Sequence, residues 1–204
     1  LFINNLLLII HKLSFTKVNM YITLIIIYFS IIVIYYLYKR RNKMLYGIID
    51  VGSNTIRLNI YSYSEKQVQS LLHKKTMAGL AGYVTDGYLS SKGIKIACST
   101  INNYKNILLN FNIKNIHAFA TASLRNIINT DEVVRNIYEE TGLTVDVIPG
   151  EEEATLGYKG AALHSSIETG LFVDIGGGST ELVTFENRQI TRAVSLPIGS
   201  LSMY

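Results

Sequence analysis

Asp50-Val-Gly-Ser-Asn-Thr55 and Asp174-Ile-Gly-Gly-Gly-Ser-Thr180 are two versions of one pattern. Each is entered from an apolar, strand-like run, Tyr46 to Ile49 and Leu171 to Val173, and each leads into another. An Asp that ends a buried strand, followed by glycines that let the backbone turn sharply and aim its N–H groups into a cavity, makes a concavity suited to phosphate and a metal beside it. One such loop alone is equally an ordinary hairpin turn, because Asp, Asn and Gly are common turn formers. The repetition points instead to two half-sites facing one phosphate chain.

Two further blocks lie between the loops, Ala120-Thr-Ala-Ser-Leu-Arg125 and Gly150-Glu-Glu-Glu-Ala154. With Tyr46-Gly-Ile-Ile-Asp-Val-Gly-Ser-Asn-Thr-Ile-Arg-Leu58 before them and Leu171-Phe-Val-Asp-Ile-Gly-Gly-Gly-Ser-Thr-Glu-Leu-Val183 after, the four blocks resemble the exopolyphosphatase and guanosine pentaphosphatase (Ppx/GppA) family of the actin-like ATPase superfamily. The resemblance covers about residues 44 to 204. It implies an α/β, ribonuclease-H-like fold and a phosphoanhydride hydrolase that releases terminal orthophosphate from inorganic polyphosphate or guanosine pentaphosphate.

Such a reaction needs held phosphates, a cation to neutralise charge and a base for the attacking water. Asp50 and Asp174 end their strands with hard oxygens suited to Mg²⁺. Ser53, Asn54 and Thr55 offer donors to one phosphate, and Gly176, Gly177, Gly178, Ser179 and Thr180 to the next. Arg57 and Arg125 are the guanidinium groups available for bidentate phosphate contact; Arg57, within a strand, is as readily read as a solvated cation. Glu151, Glu152 and Glu153 open a helix after Pro149-Gly150, where the dipole favours acids whatever the function. The resemblance assigns the general base to Glu153, with Glu152 as the second choice, and matches Glu181 to an acidic residue near metal and water. Otherwise Glu181 is a solvent-facing strand residue. A non-catalytic sensor that binds polyphosphate or an alarmone nucleotide is the alternative from another class.

The chain has 19 Lys+Arg against 15 Asp+Glu, a formal +4. Six of the cations and none of the acids fall in residues 1–43, which leaves 13 against 15, or −2, for the remainder. The basic balance therefore belongs to the leader, and nothing argues for a nucleic-acid domain. Phosphate recognition is expected from the loops, with Lys74 and Lys75 as surface cations of little consequence.

From Tyr21 to Tyr38 the leader is uncharged and apolar over about 18 residues, enough to span a bilayer. Lys39-Arg40-Arg41 and Lys43 follow, which would leave the rest in the cytoplasm. The alternative is an over-extended start: the chain begins with Leu, the leader is nearly all Ile, Leu, Tyr, Asn, Lys and Phe, and Met44 stands two residues before the first strand. Both alternatives place the catalytic part in the cytoplasm, with a membrane as partner only if the leader is real. A homodimer is compatible with either.

From Met44 onward, strands are predicted at Tyr46 to Val51, Thr55 to Tyr63 and Val68 to Thr76. A helix follows, capped by Ser90 or Ser91, with Ile94, Ala97, Cys98, Ile101, Tyr104, Ile107, Leu108 and Phe111 recurring at three and four. Then come a strand at Asn115 to Ala120, a helix framed by Asn129, Glu132 and Gly142, a strand at Thr144 to Ile148 and a helix from Glu151 to about His164. This order gives a first half with a largely parallel mixed sheet. The pattern restarts at Leu171 with strands through about Phe185 and from Gln189, and stops partway through a second half, so the domain is expected to be incomplete at its C-terminus. His11, His73, His117 and His164 show no ligand spacing with Cys98, so no zinc site is expected. Cys98 is read as a core thiol.

Overall fold

Strands β1 (Met44–Val51) and β2 (Thr55–Ser64) are rich in β-branched and aromatic residues, and β3 (Gln67–Met77) pairs with β2. A computed structural model describes residues 44–64 and 67–201. The expected membrane-length run at 21–38 lies outside the described residues; among these, no helix is long and apolar enough to cross a membrane.

In β1 the buried Gly47, Ile49 and Val51 alternate with Tyr46, Ile48 and Asp50 on the opposite face. In β2, Ile56, Leu58, Ile60 and Ser62 point inward, and Arg57 and Asn59 outward. That period of two fixes which face carries chemistry. The sheet is completed by β6 (Asn115–Ala120) and β7 (Val145–Val147) in the order β3-β2-β1-β6-β7. β2 and β3 are antiparallel, whereas β1, β6 and β7 run parallel, so the expected mixed sheet of a ribonuclease-H-like half is present.

The buried face is covered by α1 (Ser91–Asn110) and α3 (Thr130–Thr141). α1 begins where the Ser90 Oγ accepts from the Gly93 N–H at 3.4 Å, and it buries Ile94, Ala97, Cys98, Ile101, Tyr104 and Leu108 at helical spacing. Cys98 is indeed a buried free thiol, and burial pushes its pKa up to about 11. Gly47 lets the helix lie close to β1, since a side chain there would meet the Leu108 methyls at 2.4 Å. The Tyr104 hydroxyl crosses the core to donate to the Ile56 carbonyl at 3.1 Å and bonds the Thr76 hydroxyl at 2.7 Å. α3 ends at Gly142, whose φ of 67° is the left-handed geometry that glycine adopts without strain.

The N-terminal cap expected at Asn129 is not what its side chain does. Asn129 Oδ1 accepts from the Leu89 N–H at 2.9 Å and Nδ2 donates back to the Leu89 carbonyl at 3.1 Å, pinning the hairpin β4 (Val84–Thr85) and β5 (Tyr88–Leu89) to the helix entry. The Asn129 side chain makes no capping bond to the helix backbone; instead its Nδ2 also donates to the Glu132 carboxylate at 3.0 Å. This hairpin, the 3₁₀ turn at Leu80–Tyr83 and the short α2 (Ala122–Arg125) are too brief for a periodic signal.

α4 (Gly150–Ala162) leaves the first sheet and packs on a second, antiparallel one, made of β8 (Gly170–Ile175), β9 (Thr180–Glu186) and β10 (Gln189–Leu196) in the order β10-β9-β8. Ala154 and Tyr158 of α4 bury against Val183 and Phe185, with Phe172, Ile190 and Ala193 around them. Tyr158 and Phe185 lie 4.5 Å apart between ring centres. On β8, Leu171, Val173 and Ile175 are exposed.

Tyr104→Phe keeps the packing but leaves the Ile56 carbonyl without its side-chain donor. It should lower unfolding stability by about 1–2 kcal/mol, read as a lower urea midpoint at unchanged slope; an unchanged midpoint would remove the cross-core bond from the account.

Candidate active site

The first loop, Gly52-Ser53-Asn54, turns because the Gly52 N–H reaches the Thr55 carbonyl at 3.2 Å. Its back is braced by the segment before and within the 3₁₀ turn: Ala78 and Gly79 donate to the Asn54 carbonyl at 3.0 and 2.8 Å, and Ala81 to the Ser53 carbonyl at 2.9 Å. With those carbonyls engaged behind it, the loop keeps its other side for the cavity. α2 secures the strand end, since the Ser123 hydroxyl donates to the Val51 carbonyl.

The second loop, Gly176-Gly177-Gly178, closes with the Gly176 N–H on the Ser179 carbonyl at 2.9 Å. A following segment clamps it from behind: the Ser200 and Leu201 N–H groups donate to the Gly176 and Gly177 carbonyls, both at 2.9 Å. The clamp demands glycine at 199, where a side chain would stand 2.4 Å from the Gly177 carbonyl oxygen. The two loops also touch each other, because a side chain at Gly178 would meet the Ser53 hydroxyl at 2.5 Å.

Between the loops lies a cavity of about 530 Å³. Its walls include Asp50, Ser53, Asn54, Thr55 and Arg57 from the first lobe, Glu153 from α4, and Asp174, Gly176, Gly177, Gly178, Ser179 and Glu181 from the second. Thr180 is not among the lining residues; its hydroxyl donates to the Ile198 carbonyl at 2.5 Å. Glu151 and Glu152 are exposed and do not line the cavity either, so the helix turn aims one glutamate of the three inward.

Arg125 also stands outside the cavity wall, behind Glu153. Its Nη1 donates to Glu153 Oε2 at 2.9 Å and to the Ile148 carbonyl at 3.0 Å, while Nη2 donates to the Ser195 hydroxyl at 3.3 Å. The Ser195 hydroxyl in turn donates to Glu181 Oε1 at 2.7 Å. A chain of side chains thus joins Glu153 on α4 to Glu181 on β9 through Arg125 and Ser195. Sequence reasoning missed Ser195, because a serine in a strand carries no local signal. It rests against Gly150, where a side chain would meet the Ser195 Cβ at 2.5 Å.

Two carboxyl groups are perturbed. Burial pushes the Asp50 carboxyl up; Arg57, 3.5 Å away, offsets part of this and Asp174 adds to it. Burial likewise raises Glu153 and its Arg125 partner opposes the rise, with Glu181 and Asp50 adding like-charge repulsion. Glu181 is almost fully buried at 3 % exposure. A partly buried carboxylate with raised proton affinity suits proton abstraction from water. For a cation the donors fit in chemistry, since Asp50, Asp174 and Glu181 offer hard oxygens. Among the described residues, however, no three Asp, Glu, His or Cys side chains converge into a closed metal cage. An ion here would complete its shell with waters and phosphate oxygens, as Mg²⁺ commonly does.

The fold has solved counterparts. The exopolyphosphatase from Cytophaga hutchinsonii ATCC 33406 superposes with a TM-score of 0.74 at 28% identity, over 78% of this chain and 52% of that one. The Aquifex aeolicus member of the Ppx/GppA protein family superposes with a TM-score of 0.68 at 30% identity, over 77% of this chain and 52% of that one. The chain therefore spans about half the length of these proteins. The family model of the Ppx/GppA phosphatases matches residues 59–204. With both loops and the carboxylate-lined cavity between them, this chain belongs to the Ppx/GppA phosphatase family.

Proposed function

We propose that the cavity hydrolyses phosphoanhydrides, releasing terminal orthophosphate from inorganic polyphosphate or guanosine pentaphosphate in the cytoplasm. The observation that carries this reading is the position of Glu153: it alone of three consecutive glutamates lines the cavity, and Arg125 fixes its carboxylate at 2.9 Å. A sensor of phosphate chains needs no such aimed, held base. Family membership and the likeness to an exopolyphosphatase support the same class of chemistry.

In this mechanism the backbone and hydroxyls of Ser53, Asn54 and Thr55 hold one phosphate, and the Gly176 to Ser179 loop holds its neighbour. Arg57 contacts phosphate oxygens from the rim. Asp50 and Asp174, with Glu181 near them in the wall, are the residues that would hold Mg²⁺, which when bound would supply positive charge against the transferred phosphoryl group. Glu153 accepts a proton from a water as that water's oxygen bonds the terminal phosphorus; the bridging P–O bond breaks and its electrons leave with the shortened chain. Arg125 and Ser195 are positioning residues that keep Glu153 on α4 and Glu181 on β9 aimed at the cavity.

Glu153→Gln keeps size and hydrogen bonding but removes the proton acceptor. Turnover on both substrates should fall by about 10²–10⁴-fold with little change in affinity, as measured by phosphate release and by calorimetry with Mg²⁺ present. If Glu153→Gln is as active as the parent while Glu152→Gln is inactive, the base has been misassigned. If the parent binds both ligands without releasing phosphate, the sensor is the better account.

Gly177→Val should abolish binding of either ligand. A side chain at this position meets Leu201 at 3.2 Å and already touches Asn54 of the other loop at 3.5 Å, so the branched valine would crowd the space between the half-sites. Calorimetric affinity equal to the parent's would contradict loop-held phosphates.

A further inference from the structure

Helix α3 uses two faces. Val133, Ile137 and Thr141 are buried on the side that packs on α1. Asp131, Val134, Arg135 and Tyr138 recur at three and four residues along a second stripe. With Val145 and Val147 they line a groove of about 440 Å³ between the helix and β7. β7 is the last strand of the five-stranded sheet, and among the described residues no strand pairs with its outer side. The Ile148 N–H donates inward, to the Ala120 carbonyl at 3.0 Å. The alternation of an extended chain then turns the backbone groups of Val147 and Val145 toward the open edge.

An exposed helix stripe is ordinarily a solvated one, and two observations set this stripe apart. The first is apolar: Tyr138 is 56 % exposed beside the half-buried Val134 and Val147, along a sheet edge that a further chain can cover. The second is charge. Asp131 and Arg135 are both exposed on the groove one helical turn apart, and neither forms an ion pair among the described residues. The helix dipole accounts for an acid in the first turn but not for Arg135 in the middle of α3. One acid and one base at this spacing give the groove no net charge, so it selects neither a polyanion nor a polycation. It is complementary to itself. About a two-fold axis perpendicular to the helix, a second α3 runs antiparallel to the first and sets Asp131 of each copy against Arg135 of the other.

We propose that this groove is a homodimer interface in which the α3 helices of two copies pack antiparallel. The two equivalent Asp131–Arg135 pairs fix the register, and the Tyr138 rings, at the two ends of the contact, cover the apolar floor. β7 has three residues, so strand pairing across the edge adds little and the helices carry the contact. The exposed Leu171, Val173 and Ile175 of β8 form another apolar surface, but no charge among them chooses a partner or a register. The proposal is independent of the chemistry assigned to the cavity.

The test is sedimentation equilibrium of the full chain in a density-matched non-ionic detergent, chosen because of the apolar run at 21–38. The parent is compared with Asp131→Arg, Arg135→Asp and Glu139→Arg, the last being an exposed α3 position outside the groove. Either groove variant alone sets like charges against each other at both ends of the contact. Its dimer dissociation constant should rise about tenfold, for two exposed pairs turned from attraction to repulsion. Glu139→Arg should match the parent. An equimolar mixture of Asp131→Arg and Arg135→Asp should recover the parent's affinity as a heterodimer, because acid meets base again at both positions, and that recovery also shows that both variants are folded. A parent that stays monomeric at its highest soluble concentration overturns the interface. So does an oligomer indifferent to both groove variants, which would move the contact to another surface such as the β8 face. A mixture no tighter than its components overturns the two-fold pairing.

Discussion

The close approach of the two glycine loops governs the geometry of the site. A side chain at Gly178 would meet the Ser53 hydroxyl at 2.5 Å, and behind the second loop Gly199 lies against the Gly177 backbone. Contacts this tight leave little slack, because packed protein does not deform continuously. The first sheet, carrying Asp50, and the second, carrying Asp174 and Glu181, are thereby registered to one another at the loops. α4 then fixes the base, since one end of it carries Glu153 into the cavity and its apolar face is buried on β9 and β10.

What could be read from the sequence follows from how local each signal is. The loops were legible because Asp, Gly, Ser and Asn state their backbone demands in consecutive residues, and α1 because Ile94, Ala97, Cys98, Ile101, Tyr104 and Leu108 keep helical spacing over a long run. The five-stranded sheet followed from the alternation of strands and helices. Asn129 shows the limit: its sequence context matches a helix cap, but a partner 40 residues away, Leu89, offers both a donor and an acceptor and claims the amide. A long-range pairing of that kind leaves no trace at the position itself.

The site divides along the same line. Asp50, Glu153, Asp174 and the two loops could be placed from motif and family likeness, and they do line one cavity. Arg125 was legible as a cation but not as one facing Glu153, because its direction depends on where α4 starts. Ser195 and Gly199 were invisible. Their importance comes from contacts with Arg125 and Glu181 in one case and with the Gly177 backbone in the other.

The cavity's electrostatics pose a problem that its own side chains do not solve. Asp50, Glu153, Asp174 and Glu181 all line it, and the one lining cation among the described residues is Arg57, already drawn toward Asp50 at 3.5 Å. Arg125 is committed to Glu153 from behind the wall. A phosphate chain entering such a place would meet four carboxylates, and at short range in a partly desolvated site repulsion of that kind outweighs a few neutral hydrogen bonds. The raised proton affinities of Asp50 and Glu153 reflect the same crowding, with burial as the larger cause and neighbouring carboxylates adding to it. In the proposed hydrolase, positive charge would have to accompany the ligand into this cavity. A divalent ion would meet that need, with Asp50 and Asp174 as the residues to hold it, and would tie substrate binding to charge neutralisation.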